Sequence, residues 1–139
     1  MQIEIAITAQ PIALGRELPE GISGSAGAVA EFTGLVRGEE DVRRIAALEY
    51  EAYSPMAENV MRRIVEELGQ QQPCLWVRVV HRVGVVPVGE AAIHVVATTR
   101  HREAAFAMVT GFMNRLKQDV PIWKRRLLDH GELRSRPVP

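Results

Sequence analysis

The chain has 139 residues, 47% of them hydrophobic, and its acidic and basic residues balance to no net charge at pH 7. That length fits a single domain over residues 1–139, able to bury roughly 68–70% of its unfolded surface. No apolar run is long enough to span a bilayer, the start MQIEIAIT has neither the basic region nor the cleavage site of an export signal, and the lone Cys74 excludes an intramolecular disulfide. The expectation is a cytoplasmic protein held together by packing.

In chain order, residues 2–8 alternate, with Ile3, Ile5 and Ile7 on one face, which predicts a half-buried strand. Residues 10–26 hold Pro11, Gly15, Pro19, Gly21 and Gly24 and read as loop. GAVAEFTGLV at 27–36 predicts a second strand with a bulge at Gly34, Gly38 to Asp41 a polar turn, and residues 44–52 a third strand. The period then lengthens. Ser54 suits a helix N-cap and Pro55 the first helical position; Met56, Val60, Ile64 and Leu68 form the stripe and Gly69 the stop. Strands follow at 75–82 and 91–99, joined through Gly84, Pro87 and Gly89. A second helix runs from about Arg102 to Gln118 with Ala105, Val109, Phe112 and Leu116 inward, and Pro121 prevents its continuation. Residues 122–128 read as a last strand and the tail from Asp129 as loosely ordered. The sum is an α+β domain, a mostly antiparallel sheet with two main helices packed against it.

Charge and lysine usage point to a site. Residues 1–69 carry 6 Lys+Arg against 12 Asp+Glu, a balance of −6; residues 70–139 carry 11 against 5, a balance of +6. The split suits an anion site in the second half, or solvated charge that drifted apart. Of 17 basic residues only two are lysines, Lys117 and Lys124. Arg does not lose its proton in a protein, whereas a Lys amine can when burial or neighbouring cations lower its pKa. The two lysines therefore suit amine chemistry, the alternative being ordinary surface charge. They flank Pro121 in LKQDVPIWKRR, where a chain reversal would turn both amines, with Arg125 and Arg126 nearby, towards one cleft. Arg100-His101-Arg102 falls at a helix start, where backbone N–H groups favour an anion such as a phosphate. Arg37, between a strand and a turn, suits a ligand-facing guanidinium. His81 ends a strand and reads as a hydrogen-bonded structural residue. No Cys/His set has zinc spacing, and no phosphate-binding glycine loop, dinucleotide fingerprint or nucleophile elbow is present.

Five stretches in order, FTGLVRG (32–38), LEYEAYSPMAE (48–58), HRVGVVPVGE (81–90), His101-Arg102 with AAF after it, and LKQDVPIWKRR (116–126), resemble the large, catalytic subunit of molybdopterin synthase over roughly residues 27–126. The resemblance implies an α/β-hammerhead-like fold and a sulfurtransferase. Such an enzyme installs the dithiolene of molybdopterin on cyclic pyranopterin monophosphate, in molybdenum cofactor biosynthesis. The sulfur comes from the Gly-Gly thiocarboxylate of a small ubiquitin-like carrier subunit. It also implies a homodimer within a heterotetramer and no cofactor or metal for the transfer. Carried across, Lys117 matches an acid/base or an amine bonding transiently to the carrier's terminus, and Lys124 a residue holding substrate or intermediate. His101, Arg102, Arg37 and Arg125 match substrate contacts. Two departures stand out: Arg126 occupies a position where the family commonly has an acidic residue, and the tail GELRSRPVP lacks a Trp usual after that glycine. The competing readings are a non-catalytic pterin- or carrier-binding module of the same fold, and RNA binding by the basic half. The latter is opposed by an aromatic content of only 5% without aromatic-basic interleaving.

Overall fold

The computed structural model describes residues 1–15, 17–40, 43–128 and 133–138. Nine strands and two helices are found among them: β1 Gln2–Thr8, β2 Ala28–Leu35, β3 Glu39–Glu40, β4 Arg43–Ala52, α1 Met56–Gln71, β5 Trp76–Arg82, β6 Gly84–Pro87, β7 Ala91–Thr99, α2 Arg102–Asp119, β8 Ile122–Leu128 and β9 Leu133–Val138.

Two sheets share the strands. The first has the order β1-β5-β7-β2; β1 pairs with β5 in parallel and the other pairs are antiparallel. In the second, β4 pairs with β3, β6 and β8, and β8 pairs with β9. The predominance of antiparallel pairing agrees with the sequence, and the β1–β5 pair is the parallel exception.

The main core lies between the first sheet and the helices. Val77, Val79, Ile93, Val95 and Ala97 face Ala57, Val60, Met61, Ile64 and Val65 of α1 and Ala105, Met108 and Phe112 of α2. The helices approach closely where α2 has no side chain: a Cβ at Gly111 would stand 3.2 Å from Leu68 Cδ2. The opposite face of the sheet is covered as well, by the segment around Leu18, Ile22 and Ala26 packing on Trp76 and Val96. With both faces covered, β7 is buried almost throughout. On that second face His94 is fully buried, its Nε2 2.6 Å from Glu31 Oε1 and its Nδ1 3.3 Å from Arg78 Nη1. Arg can only donate, so Nδ1 accepts and the Nε2–H donates to Glu31.

Several local expectations change. Helix α1 has Pro55 at its N-cap position with no side-chain cap bond, so Ser54 does not cap it. Gly69 lies inside α1, which runs on to Gln71, because the Gln72 N–H still closes on the Leu68 carbonyl. Its buried face is centred on Ala57, Val60, Met61, Ile64 and Val65, while Met56 is half exposed at 51%. Residues 84–87 are a strand, held by pairing with Ala47–Tyr50. Glu39–Glu40 pairs with Arg43 and Arg44, and Asp41, the end of the expected turn, lies outside the described residues. Of the tail expected to be loose, Leu133–Val138 forms β9 against β8; residues 129–132 and 139 are outside the described set. The bulge at Gly34 is present as a register shift between Gly34 and Leu35. Among the described residues no helix is long and apolar enough to cross a membrane.

Candidate active site

Helix α2 stops where the sequence requires it to. Val120 takes an extended conformation, its N–H closes on the Leu116 carbonyl at 3.2 Å, and Pro121 follows. The chain then reverses: the Tyr53 N–H bonds the Pro121 carbonyl at 3.0 Å and β8 zips along β4, setting Lys124 opposite Tyr50. Lys117 in the last turn of α2 and Lys124 on β8 are thereby folded towards each other. Lys117 is also well placed against the negative end of the helix dipole.

Between them lies a cavity of about 520 Å³. Its walls come from β2 and the residues after it (Phe32 to Leu35, Arg37), from β4 (Leu48, Tyr50), from the end of β5 (His81), and from β7, α2 and β8. Both lysines of the chain line it, together with Arg37, and no carboxylate is among its described lining residues. No described hydrogen bond or ion pair engages Arg37 or Lys117. A concave surface lined by three cations favours an anionic ligand, the more so because Arg37 and Lys117 are partly stripped of water without a described partner. Most of the remaining lining is apolar or aromatic, as in small-molecule sites. A second cavity of about 430 Å³, which includes Tyr53, Ser54 and Gly84, adjoins the first through the shared residues Tyr50 and Trp123.

His81 lines the cavity although the sequence suggested only a structural role. It is 4% exposed, its Nδ1 lies 2.8 Å from the Arg82 carbonyl oxygen, and its ring meets that of Tyr50 edge-on at a centroid distance of 5.0 Å. Burial pushes the imidazole down to about 4, against the opposing effect of the Arg82 bond, so it is neutral at pH 7. Period-two alternation was the available signal: in the register His81 shares its face with Ile7 and Ile93, the face the helices cover.

The other predicted residues fall elsewhere. His101 is the N-cap of α2 and Arg102 its first residue; neither lines the cavity. Arg102 precedes Lys117 by fifteen positions in one helix, about 22 Å along the axis. Arg125 also lies outside the lining, its Nη2 3.9 Å from Glu51 Oε2, a loose exposed pair. Cys74 is far from reactive: burial pushes its thiol up to about 11, and its Sγ lies 3.2 Å from the Gln72 carbonyl.

The family model described as "MoaE protein" matches residues 7–119. The chain belongs to the MoaE family. It is 37% identical over 125 residues to the rat "Molybdopterin synthase catalytic subunit", covering 90% of this chain and 62% of that protein. It is 36% identical over 126 residues to the Bacillus subtilis protein of the same name, covering 91% and 80% respectively. The chain thus spans less than two thirds of the length of its rat relative. Among solved structures it resembles molybdopterin synthase from Staphylococcus aureus, with a TM-score of 0.80 and 30% identity over 94% of this chain and 96% of that one. The MoaE match ends at Asp119, so Lys117 is inside it and Lys124 just beyond.

Proposed function

We propose that this chain is the catalytic subunit of a molybdopterin synthase, a cytoplasmic sulfurtransferase. It would take sulfur from the C-terminal Gly-Gly thiocarboxylate of a small ubiquitin-like carrier and build the dithiolene on cyclic pyranopterin monophosphate. One observation carries the reading: in a chain that otherwise uses Arg for positive charge, its only two lysines line one cavity, with Arg37 and no carboxylate among the described lining. The names of the MoaE relatives support it.

The arrangement suits two anionic reactants. A thiocarboxylate and a phosphate brought together repel, by about 4 kcal/mol for unit charges roughly 4 Å apart at an effective dielectric constant near 20. Arg37, Lys117 and Lys124 offset that repulsion. Arg37 supplies fixed charge, since it keeps its proton. Lys117 is the acid/base, or the amine that bonds transiently to the carrier's terminus, and Lys124 holds substrate or intermediate. The adjoining cavity at Tyr53 and Trp123 offers an extended tail a path to the amines.

His101 and Arg102 enter this reading through a second copy of the chain. One chain cannot bring both ends of α2 to the same small ligand across about 22 Å. In a homodimer, the helix start of one protomer completes the cavity of the other, and Arg125 lies on the outer side of β8. Each outer end of that dimer would hold one carrier, giving a heterotetramer.

The test is reconstitution: the protein, a thiocarboxylated carrier and cyclic pyranopterin monophosphate, assayed for molybdopterin. Product is expected, and its loss in Lys117→Ala with the carrier still bound. Absence of product with carrier bound to the unaltered protein would replace the synthase by a binding module of the same fold.

A further inference from the structure

We infer that His81 is a specificity-determining residue of this cavity, presenting its Nε2 lone pair as a fixed acceptor for an N–H donor on the pterin of the bound substrate. The inference rests on the functional reading above, and it starts from geometry. A backbone carbonyl only accepts, so the short contact between Nδ1 and the Arg82 oxygen requires that Nδ1 carry the hydrogen. The Nε2 of a neutral ring is then an acceptor. No described hydrogen bond engages Nε2; the contact made by the ring is through Nδ1. His81 lines the cavity, and with Nδ1 turned to the backbone Nε2 is the polar atom of the ring left for it to present there.

The cavity has a use for such an atom. Arg37, Lys117 and Lys124 can hold the anionic parts of a ligand, but as cations they only donate. A pterin carries ring N–H and amino groups that lose their water on binding and need acceptors. Thr33 and Tyr50 also line the cavity, and a hydroxyl, which both donates and accepts, does not select for a donor. His81 differs in being held by two contacts, the hydrogen bond to the Arg82 carbonyl and the T-shaped packing with the Tyr50 ring. Its burial keeps it neutral, so it adds no fourth positive charge beside the cations.

Titration calorimetry of the folded protein tests this with two probes, cyclic pyranopterin monophosphate and inorganic phosphate. His81→Asn keeps a donor for the Arg82 carbonyl and removes the Nε2 acceptor. It is expected to weaken the pterin probe about tenfold, the loss of one hydrogen bond, while leaving phosphate affinity unchanged. His81→Gln, whose longer amide places an oxygen near the Nε2 position, is expected to recover part of the pterin affinity. Equal pterin affinity in His81→Asn and the unaltered protein would overturn the inference. So would a parallel loss for both probes, which marks a structural role. If the unaltered protein binds phosphate but not the pterin, the functional reading fails and the acceptor role falls with it.

Discussion

At the scale of single residues, charge and amine chemistry can be separated at Lys117. Lys117→Arg keeps the positive charge that offsets two anions but cannot release a proton at working pH. If the amine acts as acid/base or nucleophile, this variant is expected to bind phosphate about as well as the unaltered protein, while turnover falls by roughly two to four orders of magnitude, the usual contribution of a general acid or base. Near-normal turnover would reduce Lys117 to an electrostatic residue. His81 gives a second prediction, in stability. Its folded pKa of about 4 lies below the ordinary 6.5, so the unfolded chain binds more protons between those values. Its contribution is present above pH 6.5 and is lost as pH falls towards 4, reaching about 3 kcal/mol. Chemical denaturation from pH 7 to 4.5 is expected to show a shallower loss in His81→Asn than in the unaltered protein; parallel curves would contradict the buried, neutral ring. At this scale the two lysines were legible from composition, because rarity marks them without any fold. His81 was not, because a histidine at a strand end looks the same in sequence whether a cavity or a core lies beyond it.

At the scale of elements, α2 ties the first sheet to the site. Its start is fixed by close backbone approach: the Gly27 N–H bonds the Thr99 carbonyl at 2.9 Å, and a Cβ on Gly27 would run into the Arg100 carbonyl oxygen. Backbone cannot yield as a side-chain tip can. Gly27→Ala is therefore expected to destabilise the protein by about 1–3 kcal/mol in denaturant titration. An effect below about 0.5 kcal/mol, typical of an unconstrained surface position, would mean that the segment shifts freely. Most elements were legible because their periods are clear: β1, β7, β8 and α2 lie within two residues of expectation. The errors were at caps and joins. Gly69 signalled a stop, yet α1 continued through it to Gln71, where the Gln72 N–H closes on the Leu68 carbonyl; a helical glycine costs only roughly 1 kcal/mol. The segment GVVP reads as a connection, and only pairing with β4 makes it a strand.

At the scale of the molecule, the charge split between the halves resolves into placement. The lysines of the basic half meet Arg37 from the acidic half in one cavity, while His101 and Arg102 lie at the other end of α2. If a partner copy brings them in, damage at the two ends should complement. Lys117→Ala and Arg102→Ala chains, each inactive alone, are expected after mixing and subunit exchange to regain about one quarter of normal activity: half of the dimers are mixed, and each of those has one intact site of two, as a symmetric pair requires. No recovery, with exchange verified by mass, would place both residues' functions within one chain or remove Arg102 from the site.

The sequence by itself determined where both helices and most of the longer strands form, that two amines stand out, and which family the motifs resemble, because periodicity, proline and residue choice act locally along the chain. Only the tertiary structure decided that β1 pairs in parallel with β5, that Arg37 faces the lysines, that His81 opens onto their cavity and that His101 and Arg102 do not. Alternation shows that a face is buried. What it is buried against depends on contacts between residues far apart in sequence, and those exist only once the sheets and helices have packed.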